Sequence, residues 1–165
     1  MSVNSYHPCY WFYSGQKEKM EKQYGIVMWD DRDPEKKDLE GTPSSYIFEK
    51  TRPCQVSLGK LVIQRKHNQF YLVDKGYRVA RAHINIYQEV YGDISIETLE
   101  PYRRQGYATL LFGWVSDWLN HKGLLHISTC SIDNKASIRM HEKLGFIVTG
   151  HIRWARRDTL PSTLK

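Results

Sequence analysis

From Tyr107 onward, apolar side chains return at spacings of three and one: Tyr107, Leu110, Leu111, Trp114, Val115, Trp118 and Leu119. That rhythm predicts an α-helix with one wide apolar face, Asp117, Asn120 and Lys122 on the other side, and Gly123 as its stop. Just upstream the period changes to two. Ile94-Ser95-Ile96-Glu97-Thr98-Leu99 alternates and predicts a strand, and residues 58–63, 70–73 and 79–87 read as strands as well. Asp74-Lys75-Gly76 supplies a hairpin turn between the last two, so these segments form an antiparallel meander. Gly92-Asp93 reads as a turn or the start of the strand that follows. Beyond the helix, residues 124–130 read as a short strand. Asp133-Asn134 then caps a helix over residues 135–144, Gly145 provides its left-handed end, and Phe146 opens another strand.

These elements predict an α/β (α+β) fold with a mixed, mostly antiparallel central sheet and flanking helices. A chain of 165 residues is expected to be one domain with a substantial core. The core spans residues 58–157, an atypical segment covers 1–57, and 158–165 is a tail. In the first segment Tyr6, Tyr10, Trp11, Phe12 and Tyr13 cluster, Lys17 to Lys22 reads as a short helix, and Asp30 to Asp38 reads as a charged, mobile loop. No apolar run reaches the length of a membrane span and the N-terminus lacks a signal peptide's charged region, so a cytoplasmic location and no membrane partner are expected.

The net charge of +6 suits an acidic ligand or partner, nucleic acid included, although there is no continuous basic tract. Arg153-Trp154-Ala155-Arg156-Arg157 comes nearest, and a solvated strand edge explains it equally well. Cys9, Cys54 and Cys130 are widely spaced with no Cys-x-x-Cys, which argues against a zinc site or a disulfide framework; no metal is expected. Cys130 reads as a small buried residue rather than a nucleophile.

The strongest chemical signal sits between the alternating strand and the helix: Arg103-Arg104-Gln105-Gly106-Tyr107-Ala108. The first N–H groups of a helix lack internal partners and the helix dipole adds positive charge there, so a strand feeding a glycine-bearing loop at a helix start suits a phosphate. Gly106 removes a Cβ from the approach, and Arg103 and Arg104 add charge. Neither Gly-x4-Gly-Lys-Ser/Thr nor Gly-x-Gly-x-x-Gly occurs, which excludes the usual nucleotide-hydrolase and dinucleotide fingerprints.

Arg-x-x-Gly-x-Ala resembles motif A of the GNAT N-acetyltransferase superfamily. The run Asn134-Lys135-Ala136-Ser137-Ile138-Arg139-Met140-His141-Glu142-Lys143-Leu144-Gly145-Phe146 resembles its motif B region. The resemblance covers roughly residues 58–157 and is closest to small acetyltransferases of the zwittermicin-resistance kind. It implies acetyl-CoA as co-substrate and direct transfer of its acetyl group to a primary amine. It also implies that Thr98, Leu99, Arg103, Arg104, Gln105, Gly106, Tyr107, Ala108 and Thr109 hold the cofactor, with Asn134 and Ser137 on the later helix. His141 stands where many members have a tyrosine that protonates the thiolate, and since Asn134, Ser137 and His141 follow one another at spacings of three and four they are expected to share a helix face. Glu97 is the expected general base, with Glu100 and His83 as alternatives. The acceptor is open among a small molecule, a protein amine and an aminoacyl-tRNA, and a homodimer is possible. The alternative is a non-catalytic binding module of the same fold with an acidic or nucleic-acid partner.

Overall fold

The structure is a computed structural model in which residues 14–36, 38–50, 52–87 and 89–162 are described. Its contacts divide the chain into two compact units. The first draws on residues up to Phe48, Thr129–Ile138 and Val148 onward; the second comprises Glu49–Ser128 and Arg139–Ile147. The aromatic cluster, Cys9 and the last three residues of the tail lie outside the described residues.

In the second unit the strands run in the order β7-β6-β5-β4-β3, with β3 Val62–Lys66, β4 Gln69–Asp74, β5 Tyr77–Tyr87, β6 Tyr91–Thr98 and β7 Leu125–Ser131. The β3 to β6 meander is antiparallel throughout. Lys75 and Gly76 both have positive φ, at 51° and 84°, the left-handed pair that a two-residue hairpin turn requires. The predicted strand over 58–63 is displaced: Gly59 turns left-handed at φ 59°, the Leu61 N–H donates to the Leu58 carbonyl at 3.0 Å, and pairing begins only at Val62. Gly92 and Asp93 lie inside β6 rather than in a turn. A Cβ on Gly92 would sit 2.9 Å from Leu119, so the glycine lets the next helix approach the sheet.

That helix, α2 Tyr107–His121, buries Leu111, Phe112, Val115 and Leu119. They meet Phe70, Leu72, Ala82 and Ile84, the inward alternates of β4 and β5. Each fully buried leucine or phenylalanine contributes about 1.5–3 kcal/mol. Phe70 meets Trp118 edge-on at 5.1 Å, which accounts for one tryptophan as core. Gly113 is where the chain entering the unit crosses closely, since a Cβ there would lie 2.5 Å from Val56. Asp117 holds that crossing: it accepts from Lys50 at 2.5 Å and from the Cys54 N–H at 2.7 Å.

In the first unit the order is β1-β8-β2, with β1 Ile26–Asp30, β2 Thr42–Lys50 and β8 Phe146–Arg156. Helix α1 Ser14–Tyr24 packs on β1, and α3 Lys135–Lys143 begins here and ends in the second unit. β1 and β8 pair antiparallel, Met28 opposite Trp154. The expected charged, mobile loop is instead anchored: Asp30 and Asp33 are buried, and Asp30 holds Arg32 at 2.7 Å. The basic cluster is likewise used internally, Arg153 donating to Asp31 at 3.2 Å and to the Gly41 carbonyl at 2.8 Å. Leu160 of the tail is buried. The chain thus adopts the mixed, mostly antiparallel α/β class expected of it. No helix among the described residues is long and apolar enough to cross a membrane.

Candidate active site

The β6–β7 ladder is parallel and short. It joins Tyr91 to Leu125 and Gly92 to His126 and goes no further. From Asp93 to Thr98, β6 keeps its pairing to β5 while its other edge is not laddered to β7. The chain then leaves β6 through Leu99, makes a short 3-10 turn at Glu100–Tyr102, and enters α2 through Arg103 to Gly106.

Arg104 has φ 65° and Gly106 φ 79°. Left-handed residues turn the chain sharply here, and turns of this kind can direct successive N–H groups toward an anion. Gly106 is the residue before the helix, it brings no capping side chain, and no heavy atom lies within 4 Å of where its Cβ would be. Arg103, Arg104, Gln105 and Gly106 are exposed, while Tyr107, Ala108 and Thr109 are half-buried at the helix start. Arg103 is tied back by its Nε, which donates to the Thr98 carbonyl at 3.2 Å. The Tyr107 hydroxyl donates to Asp74 at 2.5 Å and pins the first turn of α2 to the β4–β5 hairpin. That hydrogen bond, more than burial, raises the phenol above its ordinary range. The expected cofactor residues from Thr98 to Thr109 are therefore brought together on one continuous stretch of surface.

Asn134 and Ser137 belong to the first unit. Asn134 caps α3, its Oδ1 accepting the Ser137 N–H at 3.1 Å. Both the cap and the left-handed Gly145, at φ 86°, agree with the sequence reading. His141 follows Ser137 by one helical turn, on the face expected for it, but its ring is buried. The helix carries it from solvent into the core of the second unit, where it is 2% exposed. There its Nε2 and the Ser128 hydroxyl are 2.7 Å apart, and Phe112 and Phe146 meet the ring at 5.1 and 5.2 Å. His126 lies against the same two phenylalanines, its Nδ1 2.6 Å from the Ser116 hydroxyl and its Nε2 buried without a partner. Burial, then the charges of His141 and Lys50, hold His126 well below the usual imidazole range.

Glu97 lies on the exposed alternate of β6, ion-paired to Arg81 directly across on β5. Both line a cavity of about 470 Å³ together with His83, Ser95, Gln69 and Ile96. The register brings two of the three base candidates, Glu97 and His83, into one groove; Glu100 is exposed in the 3-10 turn beyond it. Further back on the same face, opposite Asn85, is Asp93, whose carboxyl is pushed up to about 6 by burial despite a hydrogen bond from the Ile94 backbone. Sequence reading missed Arg81, Ser95, Gln69 and Asp93. The period-two alternation of β5 and β6 puts Arg81, Ser95 and Asp93 on one face, and only the cross-strand register makes them neighbours and sets Gln69 of β4 opposite His83.

A family model described as the acetyltransferase (GNAT) family matches residues 18–146. An acetyltransferase of that family from Colwellia psychrerythraea has a similar fold at TM-score 0.66 and 13% identity, over 87% of this chain and 72% of that one. One from Novosphingobium aromaticivorans gives 0.59 and 14%, over 78% and 72%. A GCN5-related N-acetyltransferase from Kribbella flavida gives 0.57 and 11%, over 83% and 72%. At such identities the likeness is one of fold. No curated protein matches the sequence significantly.

Proposed function

The chain belongs to the GNAT acetyltransferase family, and from that premise we propose that it transfers the acetyl group of acetyl-CoA to a primary amine by direct attack. The observation that carries this reading is the entry to α2: left-handed backbone at Arg104 and Gly106, a helix start with no capping side chain and two exposed arginines at one point. Those features fit a pyrophosphate. Main-chain N–H groups from Gln105 to Thr109 hold it, and Arg103 and Arg104 screen its charge. The cofactor supplies an activated acetyl thioester. The β6 edge beyond Gly92 offers main-chain donors and acceptors to an extended chain lying beside it.

An amine attacks only as the free base, so a protein group or water takes its proton. Glu97, in the groove with His83, is assigned that role. His141, enclosed and hydrogen-bonded to Ser128, is assigned to holding α3 against β7 rather than to donating a proton to the thiolate.

Calorimetric titration with acetyl-CoA, beside CoA and a Gly106→Asp variant, tests the cofactor site. Micromolar binding is expected in the wild type. Gly106→Asp is expected to weaken it at least a hundredfold, because it places a carboxylate beside the phosphates and a side chain on a left-handed residue. Absence of binding to the wild-type protein would overturn the reading.

A further inference from the structure

The first unit holds a concave site that the acetyl-transfer reading does not use. Between α1 and the β1-β8-β2 strands lies a cavity of about 530 Å³, walled by Met20, Tyr24, Ile26, Met28, Trp154 and Arg156. A second, of about 360 Å³, shares Met20, Met28 and Ser44 with it and reaches Cys130 and Lys17. All of these residues belong to the first unit. Several hundred Å³, a mostly apolar wall and few charged groups are the make-up of a small-molecule site. The register explains how the wall forms: Ile26 stands opposite Arg156 and Met28 opposite Trp154, which puts all four on one face of the antiparallel pair. Trp154 and Arg156 are alternate residues of β8, so their side chains leave the strand about 6.5–7 Å apart.

The apolar part of the wall suits a ring. Tyr24 and Trp154 offer aromatic faces and edges, and the two methionines offer thioethers, which pack well against a ring edge. Tyr24 is 58% exposed and Trp154 is half-buried, so both rings have surface left to cover. An aliphatic guest gains burial here; an aromatic guest gains burial and the ring contacts.

Charge fixes the sign of the guest. Among the described residues, two cations, Lys17 and Arg156, line the cavities and no carboxylate does. Lys17 is committed: it holds Glu21 at 2.8 Å, and the same carboxylate oxygen accepts the Met28 N–H at 3.0 Å. Arg156 is only loosely engaged. One of its nitrogens lies 3.3 Å from Asp158, between side chains 71% and 67% exposed, and so exposed a pair contributes little. A guanidinium has five donors in a fixed fork, and a carboxylate that takes the fork with both oxygens replaces a long single contact by two aligned ones. A cationic guest would meet the guanidinium with no carboxylate in the wall to offset it. We propose that this cavity binds an aromatic monocarboxylate, with the ring among Met20, Met28, Tyr24 and Trp154 and the carboxylate on Arg156. A ring and a carboxylate joined by one or two methylenes match the step from Trp154 to Arg156 along β8.

The test is calorimetric titration of the full chain with 3-phenylpropanoate and with 3-phenylpropanamide, its neutral counterpart of the same shape. Wild-type protein binds the carboxylate about tenfold or more tightly than the amide. Arg156→Gln weakens the carboxylate by about the same factor and leaves the amide unchanged, so the preference disappears. Trp154→Ala weakens both ligands, by about fivefold. Asp158→Asn removes the competing carboxylate and tightens 3-phenylpropanoate about twofold. Arg156→Gln and Asp158→Asn are exposed changes, and denaturation midpoints at the wild-type value show that neither acts through folding. No binding of 3-phenylpropanoate, an equal affinity for the amide, or a preference that survives Arg156→Gln would each overturn the proposal. An affinity unmoved by Trp154→Ala would overturn the placement of the ring and with it the site.

Discussion

Two regions of the second unit hold imidazoles in opposite circumstances. Beneath α2, His126 and His141 lie among Phe112 and Phe146 at 1% and 2% exposure, each joined to a serine hydroxyl. On the outer alternates of β5 and β6, His83 lies in an accessible groove beside Glu97 and Arg81. Motif position favours His141 for chemistry; accessibility favours His83 and Glu97. The difference shows that a family motif fixes the place of a residue on its helix but not the reach of its side chain. A shorter, more polar ring at the tyrosine position is drawn inward to Ser128, and in the proposed mechanism the proton chemistry falls to residues that only the sheet register assembles.

Replacing the buried member tests this contrast most severely. His141→Ala removes a ring packed against two phenylalanines and leaves the Ser128 hydroxyl buried without its partner. The expected cost is about 2–4 kcal/mol of stability, read as a fall in denaturation midpoint. Turnover per folded molecule is expected to stay within threefold. A tenfold or larger loss of turnover with stability preserved would return His141 to the mechanism and erase the contrast.

Asp93 lies between the two environments, on the outer face by register yet desolvated enough to hold its carboxyl near 6. Burial raises its native pKa above the ordinary carboxylate range to about 6, so the folded state favours the protonated form more than the unfolded chain does. Stability is therefore full below pH 4 for this group and is lost as pH rises through 6. Asp93→Asn keeps the shape and removes the titration. It is expected to be about 1–3 kcal/mol more stable than wild type at pH 8, with the difference gone by pH 4. A pH-independent difference would mean that the carboxyl is solvated in the native state.

Legibility followed locality. The meander from β4 to β6, α2 and α3 were readable because each carries its own period and its own terminator: Lys75-Gly76, Gly123, Asn134 and Gly145 act within a few residues of the elements they bound. The loop from Arg103 to Gly106 was readable for the same reason. β1 and β2 were not. Ile47, Phe48, Glu49 and Lys50 are buried in succession, so β2 has no period-two signal, and Lys50 is tolerated inside only because Ser116 and Asp117 receive it from more than sixty residues away. The groove under α1 depends on the pairing of Met28 with Trp154 and was invisible for that reason.

The smallest expected effect is the most pointed. Glu97→Gln preserves size and the contact with Arg81 while removing the basic oxygen, on a strand position about half exposed. Stability should change by no more than about 0.5 kcal/mol, as for exposed sites elsewhere. If Glu97 takes the amine proton, turnover should fall about tenfold, or 1.4 kcal/mol, and the pH–rate profile should lose its lower limb. His83→Ala, measured alongside, separates the two neighbours: a loss confined to His83→Ala would move the base two register pairs along the same groove. A normal rate across pH in both variants would leave water as the acceptor and reduce the outer face to a binding surface. The contrast between buried and accessible imidazoles would then be one of packing alone.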